Sequence, residues 1–162
     1  MPPTLYGPPA QTLVILLNDP EEHEFASMER ILLGLPAELA VKKLEHWPHS
    51  IAEVLAHMNA NVQFNLGLIE ATDPEGYPHP GEDWPQVGLG EWGHMVEGFL
   101  SSMGRLAELA RTQPLERILY PATGAEPAWT VGYKLALSVA KHNAYHLGQI
   151  VLMRRMLFAW DG

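Results

Sequence analysis

His142 and His146, four residues apart, are the pair whose spacing in this 162-residue chain points most directly to chemistry. On a helix that spacing offsets two imidazoles by about 6 Å along the axis and about 40° around it, so both can converge on one ion. Eight histidines in a chain of this length give such a pair by chance in roughly one chain in three, so spacing alone is weak. Position strengthens it. At about 100° per residue, Leu135, Ser138, Val139, His142, Tyr145, His146, Gln149, Ile150, Met153 and Leu157 share one inward face. A polar cluster set among Leu, Val and Met needs partners, and a metal supplies them; a metal-free histidine network is the alternative.

A third ligand should come from a facing helix, and His57 is the best placed. It lies on a ridge with Glu53 and Asn61, at the edge of an apolar stripe. Glu53 already has a structural use as the partner of Ser50 at a helix start, and Asn61 reads as a surface or supporting residue. His46 and His49 flank Trp47-Pro48 as polar turn residues, and His79 lies in a Pro-rich loop. His23 and His94 fall on polar, outward helix faces. Three imidazoles suit Zn, Ni, Cu or Fe and leave a coordination position open, the pattern of catalytic rather than structural sites. An ion so held lowers the pKa of water or binds a thiol as thiolate. The sequence His142-Asn143-Ala144-Tyr145-His146 lacks the glutamate of a zinc peptidase, and no paired Glu-x-x-His motif supports a two-metal site.

These residues need helices to carry them, and Pro and Gly divide the chain accordingly. Ser50-Ile51-Ala52-Glu53 has the form of a capping box, and Ile51, Leu55, Met58, Val62, Leu66 and Ile69 then recur at helical spacing to about Ala71. Four prolines break residues 73–87, a loop long enough to cover a site. Trp92, Val96, Phe99, Met103, Leu106 and Ala110 mark a third helix over about 90–110, and an irregular connection spans 113–129. The last helix, about 130–159, carries the histidine pair. Upstream, Asn18-Asp19-Pro20 predicts a helix start whose stripe is Phe25, Met28, Ile31 and Leu32, ended by Gly34-Leu35-Pro36. Pro9 to Leu17 reads as a separate helical piece or an extended arm. With no strand-like alternation, the expectation is an all-α, four-helix bundle in one domain over residues 1–162.

Composition narrows the function classes. The absence of cysteine excludes disulfides, thiolate metal ligands and a protein-borne thiol nucleophile. Residues 44–104 hold nine acids and no Lys or Arg, so the whole net charge of −9 sits there, which argues against nucleic acid as a partner. The Thr12–Leu17 apolar run is too short to span a membrane, so a cytoplasmic protein without a membrane partner is expected.

Two segments carry a family resemblance. Lys141-His142-Asn143-Ala144-Tyr145-His146-Leu147-Gly148-Gln149-Ile150, continuing to Arg154-Arg155 and Trp160, resembles the last helix of the DinB-like (damage-inducible B) superfamily. Trp47 to Met58, with Ser50-Ile51-Ala52-Glu53-Val54-Leu55-Ala56-His57, resembles that family's second-helix motif. The resemblance implies a four-helix bundle, often homodimeric, with one divalent metal on His57, His142 and His146. It also implies a metalloenzyme class in which some relatives transfer low-molecular-weight thiols. Tyr145 stands where many relatives have a second histidine, and Asn143 where glutamate is frequent, so the surroundings of the metal differ.

Two function classes follow. One is a mononuclear metalloenzyme, with Zn or Ni foremost, that activates water or a small thiol as a hydrolase or thiol S-transferase. Tyr145 and Gln149 are its candidate catalytic hydrogen-bonding residues, and a small molecule is its partner. The loop 73–87 is expected to roof the pocket, with Tyr77 and Trp84 as apolar cover. The other is a non-catalytic metal-binding or dimerisation module, closed by a fourth ligand such as His49 or His79.

Overall fold

The computed structural model describes residues 10–79, 81 and 84–161. The Pro9 start of the N-terminal segment, and Pro80, Glu82 and Asp83 of the loop, lie outside the described residues. The chain is mostly helical, with one small two-stranded sheet. In order come α1 (Ala10–Leu17), α2 (Met28–Leu32), α3 (Ala37–Ala40), α4 (Ile51–Glu70) and α5 (Trp92–Thr112). Strands β1 (Ile118–Tyr120) and β2 (Trp129–Thr130) follow, then α6 (Val131–Tyr133), a π-helical segment (Lys134–Lys141) and α7 (His142–Met156). The last three run on as one rod, because Lys134, Lys141 and His142 all keep right-handed helical dihedrals at the joins.

Helix α1 packs on α5 and on the π segment, and α4 packs on α5 and along both parts of the rod. Leu13 and Leu17 of α1, Leu55, Met58 and Leu68 of α4, Phe99 and Leu106 of α5, and Leu135 and Ile150 of the rod meet in one core. The predicted stripe of the third helix, from Trp92 to Ala110, is buried throughout. Among the described residues no helix is long and apolar enough to cross a membrane.

Three expectations are corrected. The helix expected from Pro20 does not form: residues 18–27 are irregular, and α2 starts only at Met28 under an Ser27 cap. The acids that favour a first turn are diverted. Asp19 Oδ2 accepts from the His23 amide at 2.9 Å, Glu22 Oε1 accepts from the Ser27 amide at 2.9 Å, and Glu22 takes a φ of +55°. Side chains that bond locally compete with the helix ladder in this way. Phe25, placed on the inward stripe by its spacing, is left 83% exposed, and α1 supplies the missing apolar face. The 113–129 connection is not wholly irregular, because β1 and β2 pair antiparallel there. The last helix is not a uniform α-helix, and it ends at Met156.

Arg154 ties the rod to α2. Its Nη1 donates to the carbonyls of Arg30 (3.2 Å), Ile31 (2.5 Å) and Leu33 (3.4 Å), and its Nε donates to Ala159 O at 2.8 Å. It thereby serves carbonyls that the end of a short helix leaves without partners.

Candidate metal centre

The phase of α4 is set at its first turn. Ser50 Oγ accepts from the Glu53 amide at 3.2 Å and Glu53 Oε2 accepts from the Ser50 amide at 2.9 Å, the reciprocal capping box read from the sequence. Glu53 is buried and meets Lys43 Nζ at 3.2 Å. Burial pushes its carboxyl pKa up, but the Ser50 amide and Lys43 outweigh that and hold it below its usual value. Glu53 is therefore committed to structure, and His57 follows one turn later, facing the rod.

The rod is phased by its π segment. Buried Val131, Leu135, Val139 and Asn143 recur every four residues through the wide turns, whereas Asn143, His146, Ile150 and Met153 recur at three and four beyond them. Wide turns slow the rotation of the inward face, so the face drawn at a constant 100° drifts from the real one. The displaced residues show it. Tyr145 is 66% exposed, not inward, while Asn143 is buried in its stead. π-turns of this kind recur at functional sites.

His57, His142 and His146 come together: one ring nitrogen from each lies within 4.8 Å of the others. His57 Nε2 and His142 Nε2 are 3.2 Å apart, and ring centroids are 5.1 Å (His57–His142), 5.0 Å (His57–His146) and 4.5 Å (His142–His146) apart. His57 and His142 are half-buried and His146 is buried. Desolvation first, then the neighbouring His146 and His57, lower the His142 pKa to about 4. Desolvation, with His57 adding to it, lowers that of His146 as well. His142 therefore stays neutral, with a lone pair to offer, well below the 6.5 of a free imidazole.

Each rod histidine has a partner behind it. His146 Nδ1 and Gln149 Oε1 are 2.7 Å apart. The amide oxygen can only accept, so the imidazole proton sits on Nδ1 and the Nε2 lone pair is left for a ligand. Gln149 is thus a positioning residue for His146, and nothing in its contacts assigns it a catalytic role. Asn61 Nδ2 donates to Ser138 O at 2.6 Å and approaches His142 Nδ1 at 3.3 Å, while its Oδ1 accepts from Asn65 at 3.1 Å. Asn61 therefore links α4 to the rod directly beside the trio, a use its place on the ridge hinted at.

Trp84 roofs the trio, as expected, but by insertion between two imidazoles. Its ring stacks on His57 (4.1 Å, 7° between planes) and on His49 (3.8 Å, 6°), and meets His146 edge-on at 6.0 Å. Stacking of His49 was not legible in the sequence, because the loop that brings Trp84 to it has no periodicity. Tyr77 is not part of this roof; it packs on Phe64, further along α4. His79 also lies against Phe64, at 4.7 Å. Neither His49 nor His79 joins the trio among the described residues. His23, His46 and His94 are exposed, and the Tyr145 ring stands edge-on to His146 at 5.1 Å.

The chain matches no protein-family model, no curated protein and no solved structure. The donor set fits a divalent ion: three ring nitrogens converge, one is held in the ligating tautomer, and an aromatic plate covers one side.

Proposed function

We propose that this chain is a DinB-like four-helix-bundle protein in which His57, His142 and His146 hold one divalent metal, with Zn or Ni the ions in view. The convergence of the three imidazoles from two packed elements is the observation that carries the reading. A three-nitrogen set leaves room for a small-molecule ligand, and an ion bound there supplies Lewis acidity that favours water or a low-molecular-weight thiol as nucleophile. Around it Gln149 orients His146, Asn61 ties α4 to the Ser138 carbonyl of the rod beside His142, and Trp84 shields His57 from solvent. Tyr145, at the exposed rim, has a phenol that can donate to an anionic group.

A hydrolase or thiol S-transferase is the activity proposed. A closed, non-catalytic module would need a fourth protein ligand, and the two histidines considered for that place are engaged with Trp84 and Phe64 instead. The homodimer implied by the resemblance has a candidate face on the outer side of the rod, where Tyr145, Leu152 and Met156 are exposed. The test uses chelator-stripped protein reloaded with zinc, nickel or cobalt. A cobalt spectrum that changes on adding a small thiol, together with turnover of an ester, amide or electrophile that is lost in His57→Ala, supports the enzyme. Metal that binds but neither exchanges a ligand nor turns over any of these substrates supports the module.

A further inference from the structure

The strongest feature outside the trio is Lys134, in the first π turn of the rod and only 9% exposed. Its Nζ lies 4.4 Å from the Trp129 ring centroid and 5.7 Å from those of Phe64 and Tyr120. Among the described residues no carboxylate pairs with it. Three aromatic faces attract an ammonium, but they accept none of its three N–H bonds in the way an anion does. Desolvation lowers its pKa, the mark of a cation short of a counter-charge. In a chain of net charge −9, a buried lysine without an acid is out of keeping with its surroundings.

Its place in the fold connects it to the trio. Lys134, Ser138 and His142 follow one another at four-residue steps along the rod, and His57, Asn61 and Phe64 at steps of four and three along α4 opposite. The two rows meet where Asn61 bonds Ser138 O and approaches His142, and where the Phe64 ring faces Lys134. One seam between α4 and the rod thus has three imidazoles toward one end and an aromatic-walled ammonium toward the other. Eight residues of wide π turns, which rise less per residue than an α-helix, put on the order of 10 Å between them.

We infer that Lys134 is an anion subsite of the same ligand-binding seam, taking the carboxylate end of a small molecule with an apolar body whose other end lies at the three histidines. The link between the two ends rests on the metal-site reading above; the anion subsite does not. The aromatic walls of Phe64, Tyr120 and Trp129 suit an apolar body, and the ammonium supplies the charge-assisted hydrogen bonds a carboxylate needs.

Two measurements test it. Metal-free protein carrying lysine labelled at Cε and Nζ is titrated with benzoate, acetate and inorganic phosphate by nuclear magnetic resonance. The Lys134 signal, displaced by three ring currents and absent in Lys134→Gln, is expected to shift saturably with benzoate and less with acetate or phosphate. Exposed Lys42, Lys43 and Lys141 should not shift. If Lys134→Gln does not fold, Trp129→Leu identifies the same signal by the ring current it removes. A Lys134 signal that ignores benzoate, or follows the exposed lysines, or prefers phosphate, overturns the carboxylate subsite whether or not metal binds. With zinc-loaded protein, a hydroxamate bearing a carboxylate across a chain on the order of 10 Å is compared with a plain hydroxamate. Lys134→Gln is expected to weaken the former about tenfold and leave the latter within about twofold. Equal effects on both overturn the link between the two ends.

Discussion

At the level of single residues, metal binding depends on which nitrogen of each imidazole carries the proton. His146 donates its Nδ1–H to Gln149 Oε1 in a 2.7 Å hydrogen bond, which leaves the Nε2 lone pair to bind. Gln149→Leu is therefore expected to lower metal affinity by about 10- to 100-fold while circular dichroism and melting temperature of the metal-free protein change little. Unaltered affinity would show that Gln149 only packs beside the site. The three histidines themselves were legible in the sequence, because spacing and the apolar stripe both follow from helical geometry. Their supporting residues were legible only in part. Asn61 and Gln149 could be placed near the ligands, but the bonds they make depend on the exact rotation of two helices. Trp84 between His49 and His57 was beyond reach, since a proline-rich loop carries no pattern that tells where its side chains land.

Elements position these residues, and two of them can be tested by substitution. The capping box at Ser50 and Glu53 was evident from four residues, and its carboxylate is held below its usual pKa despite the opposing effect of burial. A carboxyl whose folded pKa is lowered contributes stability above its unfolded value of about 4.3 and loses it as pH falls through the folded value. Glu53→Gln should thus melt at a lower temperature than the parent at pH 7, and the gap should narrow as pH drops below about 4. A gap that stays constant with pH would remove the charge from the explanation. Arg154 is the second case: Arg154→Met strands the carbonyls of Arg30, Ile31 and Leu33 and is expected to cost about 2–4 kcal/mol in denaturant unfolding. A loss below about 0.5 kcal/mol would mean that water replaces the guanidinium. Neither the π segment nor the failed helix after Pro20 could be read from pattern. The first alters the rotation per residue, and the second turns on carboxylates that bond their own backbone instead of a helix end.

Over the whole molecule, the helical character was legible because four apolar stripes at helical spacing leave few alternatives, and three of them hold in the structure. The fourth holds in part: Met28, Ile31 and Leu32 are buried on α2 as its stripe requires, Phe25 is exposed, and the eight residues of α1, Ala10–Leu17, supply the further apolar face. An apolar run that short has no measurable period, so only the tertiary contacts of Leu13 and Leu17 reveal it as core. The small sheet matters beyond its size, since β1 and β2 bring Tyr120 and Trp129 against Lys134. Because the trio joins α4 to the rod, an ion bound there also binds the folded state alone. Zinc at a hundredfold excess over its Kd should stabilise the protein by about 2.7 kcal/mol, visible as a higher melting temperature that chelation reverses. The most direct measurement is a calorimetric titration of chelator-stripped protein with zinc, run beside the His142→Ala/His146→Ala double variant and His23→Ala. One ion per chain in the parent and in His23→Ala, with none in the double variant, is the predicted result. Full occupancy in the double variant, or no binding in the parent, would contradict a metal centre built from His57, His142 and His146.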